Sequence, residues 1–156
     1  MKGPLRGIGA AFFNRLYRAG VFPIDLSLIH FFEAWSEPEL PIRRTMMDAI
    51  VTDDLIYEDP TSQGTLTGKD AVCAHMEALH KTAPGTTVTA LTGDATDRFC
   101  HALVGFDLPD GSREFGTYFA VKDGNKISKL AGFRGYLQPK ATVTQSASET
   151  DPFLYD

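Results

Sequence analysis

The sequence has few cysteines, no excess of basic residues and no long apolar run, and each shortage excludes a class of protein. Only two of its 156 residues are cysteine, and Cys73 and Cys100 belong to no CxxC pair or His-rich cluster, so neither a disulfide framework nor a metal site is predicted. Its 15 lysines and arginines against 20 acidic residues give a net charge of −5, which argues against general nucleic-acid binding. No apolar run reaches the roughly 20 residues that span a bilayer. We therefore expect a cytoplasmic protein.

The residues that are present predict a globular chain with one core. Hydrophobic residues make up 43% of the sequence and charged residues 22%, and there are 11 phenylalanines and five tyrosines. This balance is typical of a folded domain rather than of a disordered chain. The length is close to that of a single average domain, so no separate regulatory module is expected.

Residues 1–22 predict a basic amphipathic helix that precedes the main domain. They carry four basic residues and no acidic one, beside an apolar stripe near helical spacing: Leu5, Ile8, Phe12, Phe13, Leu16 and Tyr17. Arginines interrupt the apolar stretch, which argues against a secretory signal. Three interpretations remain open: packing on the body or a sister subunit, contact with a membrane surface, or an upstream start codon mistaken for the true one.

Three further helices are predicted before any long run of strands. Asp25 is a candidate N-cap, and the i, i+3, i+4, i+7 rule then predicts a helix whose buried stripe is Leu28, Phe31, Phe32 and Trp35. A short helix is expected over 42–50. The third spans 69–81, and its inward stripe is Val72, His75, Met76 and Leu79.

Alternating patterns predict one early strand and four late ones. The early strand, 55–59, places Leu55, Tyr57 and Asp59 on one face, and a turn-rich segment follows over 61–68. Period-two stretches separated by turn signals predict hairpins over 86–93, 98–107, 113–122 and 126–136. Residues 138–156 are largely polar and predict a mobile tail. Helices followed by an antiparallel sheet indicate an α+β fold.

Several short motifs together resemble a known superfamily. They are Phe31 to Trp35, Tyr57-Glu58-Asp59-Pro60 followed by Gly64 and Gly68, Gly124-Asn125-Lys126-Ile127, and Gly132-Phe133-Arg134-Gly135. Over residues 25–137 the chain resembles the nuclear transport factor 2-like superfamily in its SnoaL-like branch, whose relatives include ketosteroid isomerases and polyketide cyclases. The resemblance implies a cone-shaped curved sheet wrapped around three helices, with a pocket at the open end.

Asp59 is the candidate base that the resemblance implies, because ketosteroid isomerases use the Asp of the same Glu-Asp-Pro motif. Desolvation on the helix-covered face would raise its pKa toward a useful range. The alternative is an Asp that only ends a strand before Pro60. If it faces inward, Arg134 either binds an anionic group of the substrate or pairs with Asp59 and keeps it ionised. If the strand register differs by one residue, Arg134 points to solvent instead.

The residues that would act together with Asp59 match the pattern of the ketosteroid isomerases less well. The resemblance implies an oxyanion-hole Tyr where this chain has Phe31, and an acid where it has Thr117 or Tyr118. Tyr57 and Tyr118 are candidate phenol donors, and His75 is a candidate acid–base partner. For the tyrosines and for His75 the alternative is a residue that only packs in the core.

The leading hypothesis is therefore a cofactor-free isomerase, cyclase or dehydratase acting on a small apolar carbonyl-bearing molecule. Its predicted catalytic residues are Asp59, Tyr57, His75 and Tyr118, and its predicted substrate contacts are Phe31, Trp35, Met76, Thr117 and Arg134. The alternative is a non-catalytic ligand-binding or scaffold protein of the same fold. An epoxide hydrolase is disfavoured because Gly135 stands near a position where such enzymes need an acid. A homodimer through the outer face of the sheet is expected.

Overall fold

The computed structural model describes residues 24–135, which form three helices and one six-stranded sheet. This confirms the α+β class. The predicted helix over 1–22, the predicted tail over 138–156 and the last two residues of the predicted domain lie outside the described residues. Within the described part, no helix is long and apolar enough to cross a bilayer.

The elements follow the predicted order with small shifts at their ends. The helices are α1 (Leu26–Ser36), α2 (Leu40–Ile50) and α3 (Lys69–Thr82), and the strands are β1 (Val51–Glu58), β2 (Leu66–Thr67), β3 (Thr87–Ala95), β4 (Phe99–Asp107), β5 (Arg113–Asp123) and β6 (Lys126–Arg134). Strand β1 starts four residues before its predicted start because the chain leaves α2 directly in extended conformation at Val51. The short strand β2 was not predicted.

The sheet has the order β2-β1-β6-β5-β4-β3. Strands β3 to β6 form the predicted antiparallel hairpins, but β1 pairs with β6 in parallel. The sheet is therefore antiparallel, as predicted, except at this ladder, and the pairing that β1 makes with β2 is antiparallel as well. Register shifts interrupt the pairing in β1, β3 and β5. Such bulges add local twist, so the sheet curls around the helices.

Helix α1 supplies the centre of the core. The side chain of Asp25 caps it by accepting a hydrogen bond from the Ser27 N–H at 2.9 Å. The predicted stripe is confirmed, because Leu28, Phe31, Phe32 and Trp35 are all buried. The aromatic rings among them pack between the sheet and the other two helices. Trp35, the last of the four residues, borders the site described below.

A buried arginine joins the three helices. Arg43 of α2 is fully buried, and its guanidinium donates to the Glu37 carbonyl at 2.6 and 3.0 Å and to Glu77 Oε2 at 2.8 Å. In addition, His80 Nε2 of α3 donates to the Trp35 carbonyl at 2.6 Å. Because a buried charge must keep its partners, these contacts fix α3 against α1.

Two glycines make room for Tyr118 on the inner face of the sheet. A Cβ at Gly132 would lie 2.4 Å from a carbon of the Tyr118 ring, and one at Gly116 would lie 2.7 Å from another. Both distances are shorter than any real contact between carbons. The ring therefore lies flat across these two positions, which settles the choice between Thr117 and Tyr118 in favour of an inward Tyr118.

We predict that Gly132→Ala destabilises the fold by about 1–3 kcal/mol, the usual cost of overpacking. The double variant with Tyr118→Ala should show a much smaller added cost of the alanine, because the clashing ring is gone. Denaturant unfolding of the four proteins in this cycle measures the coupling. Equal costs of Gly132→Ala in both backgrounds would contradict the proposed role of the glycine.

The outer face of the sheet exposes three phenylalanines. Phe99, Phe119 and Phe133 are 58%, 48% and 56% exposed, and the Phe119 ring lies 6.0 Å from that of Phe133. Monomeric proteins rarely leave such a contiguous apolar patch in water. The homodimer expected from the sequence stays a prediction, with this patch as its interface.

We predict that Phe119→Lys weakens that dimer about tenfold or more, since it puts a charge in the middle of an apolar contact. Leu26→Lys is the matched control because Leu26 is 65% exposed on α1, away from the patch. Sedimentation velocity over a range of concentrations distinguishes the variants. A wild-type chain that remains monomeric throughout would rule the dimer out.

Candidate active site

Asp59 stands at the end of β1, where the chain turns sharply before the third helix. Pro60 cannot continue the strand, and the Asp59 side chain accepts the Thr61 N–H at 2.7 Å and the Thr61 hydroxyl at 2.8 Å, both on Oδ1. Ser62 braces the same turn by accepting the Asp59 N–H at 3.1 Å. The carboxyl group is thus fixed in place, and only 4% of the side chain is exposed.

The second carboxylate oxygen of Asp59 binds two side chains that come from different elements. Oδ2 accepts the Tyr57 hydroxyl at 2.5 Å and lies 2.8 Å from His75 Nε2 of α3. Tyr57 reaches it from two residues earlier on the same face of β1, as the strand pattern predicted. The predicted grouping of Asp59, Tyr57 and His75 is therefore present in the structure.

These hydrogen bonds set the charge of Asp59. Burial acts to raise the pKa of its carboxyl group, but the hydrogen bonds from His75, Tyr57 and Thr61 outweigh burial and hold the pKa well below its usual range. The expectation of a raised pKa for Asp59 is wrong, because the effect of these three donors exceeds that of desolvation. The sequence had suggested Arg134 as the ion-pair partner of Asp59, and the structure places His75 in that position.

The two ring nitrogens of His75 differ in their hydrogen bonds to the described residues. Nε2 faces Asp59, and Thr61 Oγ1 lies 3.4 Å from the same nitrogen, while Nδ1 forms no hydrogen bond within residues 24–135. A carboxylate is an acceptor only, so the neutral ring must carry its proton on Nε2. The lone pair of Nδ1 then has no hydrogen-bond donor among residues 24–135.

The two tyrosines remain protonated donors. Burial raises the pKa of Tyr57, and the nearby Tyr118 and Asp59 raise it further. Burial followed by the charge of Asp59 likewise raises the pKa of Tyr118. Tyr57 is fully buried and reaches the site through Asp59, whereas Tyr118 lies on the cavity wall.

A cavity of about 350 Å³ opens beside this group. Five predicted site residues line it, namely Trp35, Asp59, His75, Tyr118 and Arg134. Its further lining residues, which were not among the predicted site residues, include Thr61, Leu79, Phe106, Glu114 and Phe115. The Asx turn that an Asp-Pro-Thr sequence favours is the one signal that could have identified Thr61.

Three predicted substrate contacts lie away from the cavity wall. Phe31 and Met76 are fully buried in the core. Only part of the apolar face of each helix borders the cavity, and these two residues lie on the rest of that face. Thr117 points to the other side of β5, where its hydroxyl donates to the Gly135 carbonyl at 3.0 Å. These three residues therefore do not line this cavity.

Arg134 occupies the open side of the cavity. It lines the wall together with Glu114, its side chain is exposed, and it forms no ion pair with any other residue in 24–135. Among those residues, no group of three or more His, Cys, Asp or Glu side chains is placed to hold a metal ion.

Solved structures with the same architecture come from several bacteria. A presumed isomerase of the SnoaL-like family from Agrobacterium tumefaciens superposes with a TM-score of 0.64 at 22% identity over 70% of this chain and 95% of that one. A hypothetical protein with a ketosteroid isomerase-like fold from Catenulispora acidiphila, in complex with trimethylamine, gives 0.60 at 14% identity over 80% and 94%. A presumed polyketide cyclase from Sinorhizobium meliloti gives 0.56 at 17% over 68% and 92%.

These likenesses define the class of protein by its fold. The described residues form an α+β cone with its cavity at the open end. The chain has the nuclear transport factor 2-like fold, in the form shared by SnoaL-like and ketosteroid isomerase-like proteins, as the sequence resemblance implied. No protein-family model matches the sequence, and no curated protein is significantly similar to it. A fold of this kind serves many activities, so function must be argued from the site.

The lowered pKa of Asp59 predicts how stability depends on pH. A carboxyl group whose pKa is lowered by folding stabilises the protein above its unfolded pKa, near 3.8, and this contribution is lost as the pH falls toward the folded value. Asp59→Asn should therefore cost about 1–3 kcal/mol at pH 7, and the difference from wild type should shrink below about pH 4.

Chemical denaturation at a series of pH values measures this difference. Asp54→Asn is the matched control because Asp54 lies on the same strand with an exposed side chain. A gap between wild type and Asp59→Asn that widens as the pH falls from about 7 toward 4, and then stays constant at lower pH, would show that folding raises the pKa of Asp59 instead.

Proposed function

We propose that the chain is a cofactor-free acid–base enzyme of the isomerase, cyclase or dehydratase type. Its substrate would be a small, mostly apolar molecule that carries a carbonyl group. The observation that carries the proposal is the Asp59–His75 pair, 2.8 Å apart on the wall of a cavity lined by aromatic rings. The likeness to a presumed isomerase and a presumed polyketide cyclase is consistent with this choice.

The proton acceptor in this proposal is His75 rather than Asp59. Both carboxylate oxygens of Asp59 are occupied by donors, and its lowered pKa makes it a weak base. Imidazole is the side chain that most often acts as a general base, and Nδ1 of His75 has no hydrogen-bond partner among residues 24–135. We infer that Nδ1 removes a proton from the carbon beside the carbonyl group.

Asp59 then has the role of a positioning residue. Its carboxylate holds the proton of His75 on Nε2, so the other nitrogen keeps its lone pair, and it stabilises the imidazolium formed after proton transfer, as the acid of a catalytic triad does. Tyr57 supports Asp59 by donating to the same oxygen. Tyr118 lines the cavity wall, where its hydroxyl interacts with that of Tyr57. In this proposal the Tyr118 hydroxyl donates a hydrogen bond to the substrate.

We predict that the wild-type protein accelerates exchange of the α-protons of a bicyclic ketone, β-tetralone, with deuterium from the solvent, and isomerises β,γ-unsaturated ketones. His75→Gln should lower the rate about 10²–10⁴-fold, the usual contribution of a general base. Asp59→Asn should also lower it, since the imidazole loses its fixed tautomer. Proton NMR in deuterium oxide follows both reactions.

His30→Gln is the matched control because His30 is exposed and bonded to Glu33 on α1. If His75→Gln keeps the wild-type rate while Asp59→Asn abolishes it, Asp59 itself is the base. If the wild-type protein binds these ketones without exchange or isomerisation, the chain is a binding protein of this fold, the alternative that the sequence left open.

A further inference from the structure

Arg134 stands on the inner face of the sheet, at the rim of the cavity. Residues two apart on a strand share a face, and a Cβ at Gly132 would meet the Tyr118 ring, which lies on the inner face. Across the sheet, Arg134 pairs with Gly116 of β5, whose Cβ would meet the same ring. Both strands therefore place Arg134 on the inner face, beside Tyr118.

The charge of Arg134 is not balanced within the described chain. Arg134 forms no ion pair or side-chain hydrogen bond with any residue in 24–135, although Glu114 lines the same rim. By contrast, Arg113 on the same rim-side end of β5 holds Asp107 through hydrogen bonds of 2.5 and 2.9 Å. Among the described residues that line the cavity, Arg134 is the one lysine or arginine. Its donors are thus available to an anion from outside the chain.

The opposite charges of the cavity are separated along β6. In the ladder between β1 and β6, Glu58 pairs with Ala131, so Asp59 lies near the level of Gly132. Arg134 is two residues, about 7 Å, further along the strand. Asp59 is ionised, because its hydrogen bonds hold its pKa below the usual range, and it repels a second anion. An anionic group of a ligand is therefore favoured at Arg134 and disfavoured beside Asp59.

We propose that Arg134 binds a carboxylate of the substrate, so that the substrate is an apolar keto acid with its carboxylate and its ketone at opposite ends of the skeleton. A carboxylate accepts two parallel hydrogen bonds from a guanidinium. With the carboxylate at the rim, the ketone extends toward Tyr118 and its α-carbon toward His75. The position of the α-carbon rests on the proposed function, whereas the contact with Arg134 does not.

The spacing and the charge of the rim define which acids fit. A separation of about 7 Å along the strand is too long for acids whose carboxylate is attached directly to the ketone. Glu114 shares the rim with Arg134, so each further negative charge on the ligand is repelled. A phosphate monoester carries close to two negative charges near neutral pH, whereas one carboxylate balances one guanidinium. The rim therefore favours a carboxylate over a phosphate.

The experiment compares two ligands of one skeleton by calorimetry. They are 6-carboxy-β-tetralone, which carries its carboxylate on the ring remote from the ketone, and its methyl ester, which has nearly the same shape without the charge. The wild-type protein should bind the acid about 5- to 10-fold more tightly than the ester, because hydrogen bonds to charged groups are the stronger ones. Added salt should reduce this preference, since the contact is open to solvent.

Variants then assign the preference to one side chain. Arg134→Gln should abolish the preference for the acid and change affinity for the ester less than twofold, while Arg134→Lys should retain part of it, because lysine keeps the charge without the planar fork. Glu114→Gln should increase the preference by removing a like charge. Arg98→Gln is the matched control, because Arg98 is exposed in the turn before β4, at the other end of the sheet, and it changes the net charge equally.

The inference is overturned if the wild-type protein binds acid and ester equally, if Arg134→Gln weakens both alike, if Arg98→Gln also abolishes the preference, or if the acid does not bind. The outcome is separable from that of the proposed function. A preference for the acid that Arg134→Gln removes, without exchange of α-protons, supports the Arg134 contact and contradicts catalysis. Exchange of α-protons without a preference for the acid does the reverse.

Discussion

The carboxylate of Asp59 is the point on which the rest of the site depends. It accepts hydrogen bonds from β1 through Tyr57, from its own turn through Thr61, and from α3 through His75. Three separate segments of chain are thus held to one pair of oxygen atoms. Hydrogen bonds to an ionised group are the stronger ones, so this carboxylate fixes the orientation of the imidazole while giving up its own capacity to take a proton.

The fold makes that arrangement possible by clearing space on the concave face of the sheet. Gly116 and Gly132 leave room for the Tyr118 ring, and the bulges of the sheet curl it toward the helices. Arg43 fixes α3 against the end of α1, which sets His75 beside Trp35. Asp59 and the polar side chains that contact it can then lie among aromatic rings without disrupting the packing of the core.

Much of this architecture is predictable because it follows from periodic patterns. The buried stripe of α1 and the late hairpins appear directly as spacings of apolar residues. The parallel pairing of β1 with β6 is not predictable in this way, since it joins segments far apart in sequence. The assignment of Phe31 and Met76 to the cavity failed for a related reason, because a helix pattern identifies the buried face but not which buried residues border a void.

The chemistry was partly predictable as well. Motif and strand alternation together indicated Asp59 and Tyr57, and helical spacing put His75 on the inward side of α3. The direction of the Asp59 pKa could not be read from the sequence, because it depends on how many donors reach the carboxylate, and those donors come from three segments. The open nitrogen of His75 likewise emerges only from a complete account of hydrogen bonds.

The central claim is that Asp59 holds the imidazole of His75 with Nδ1 free. The ¹⁵N chemical shifts of the neutral His75 ring report directly which nitrogen carries the proton, which coordinates alone do not show. We expect the proton on Nε2, and we expect Asp59→Asn to abolish that preference while His30 is unaffected. A His75 ring protonated on Nδ1 in the wild-type protein would contradict the account.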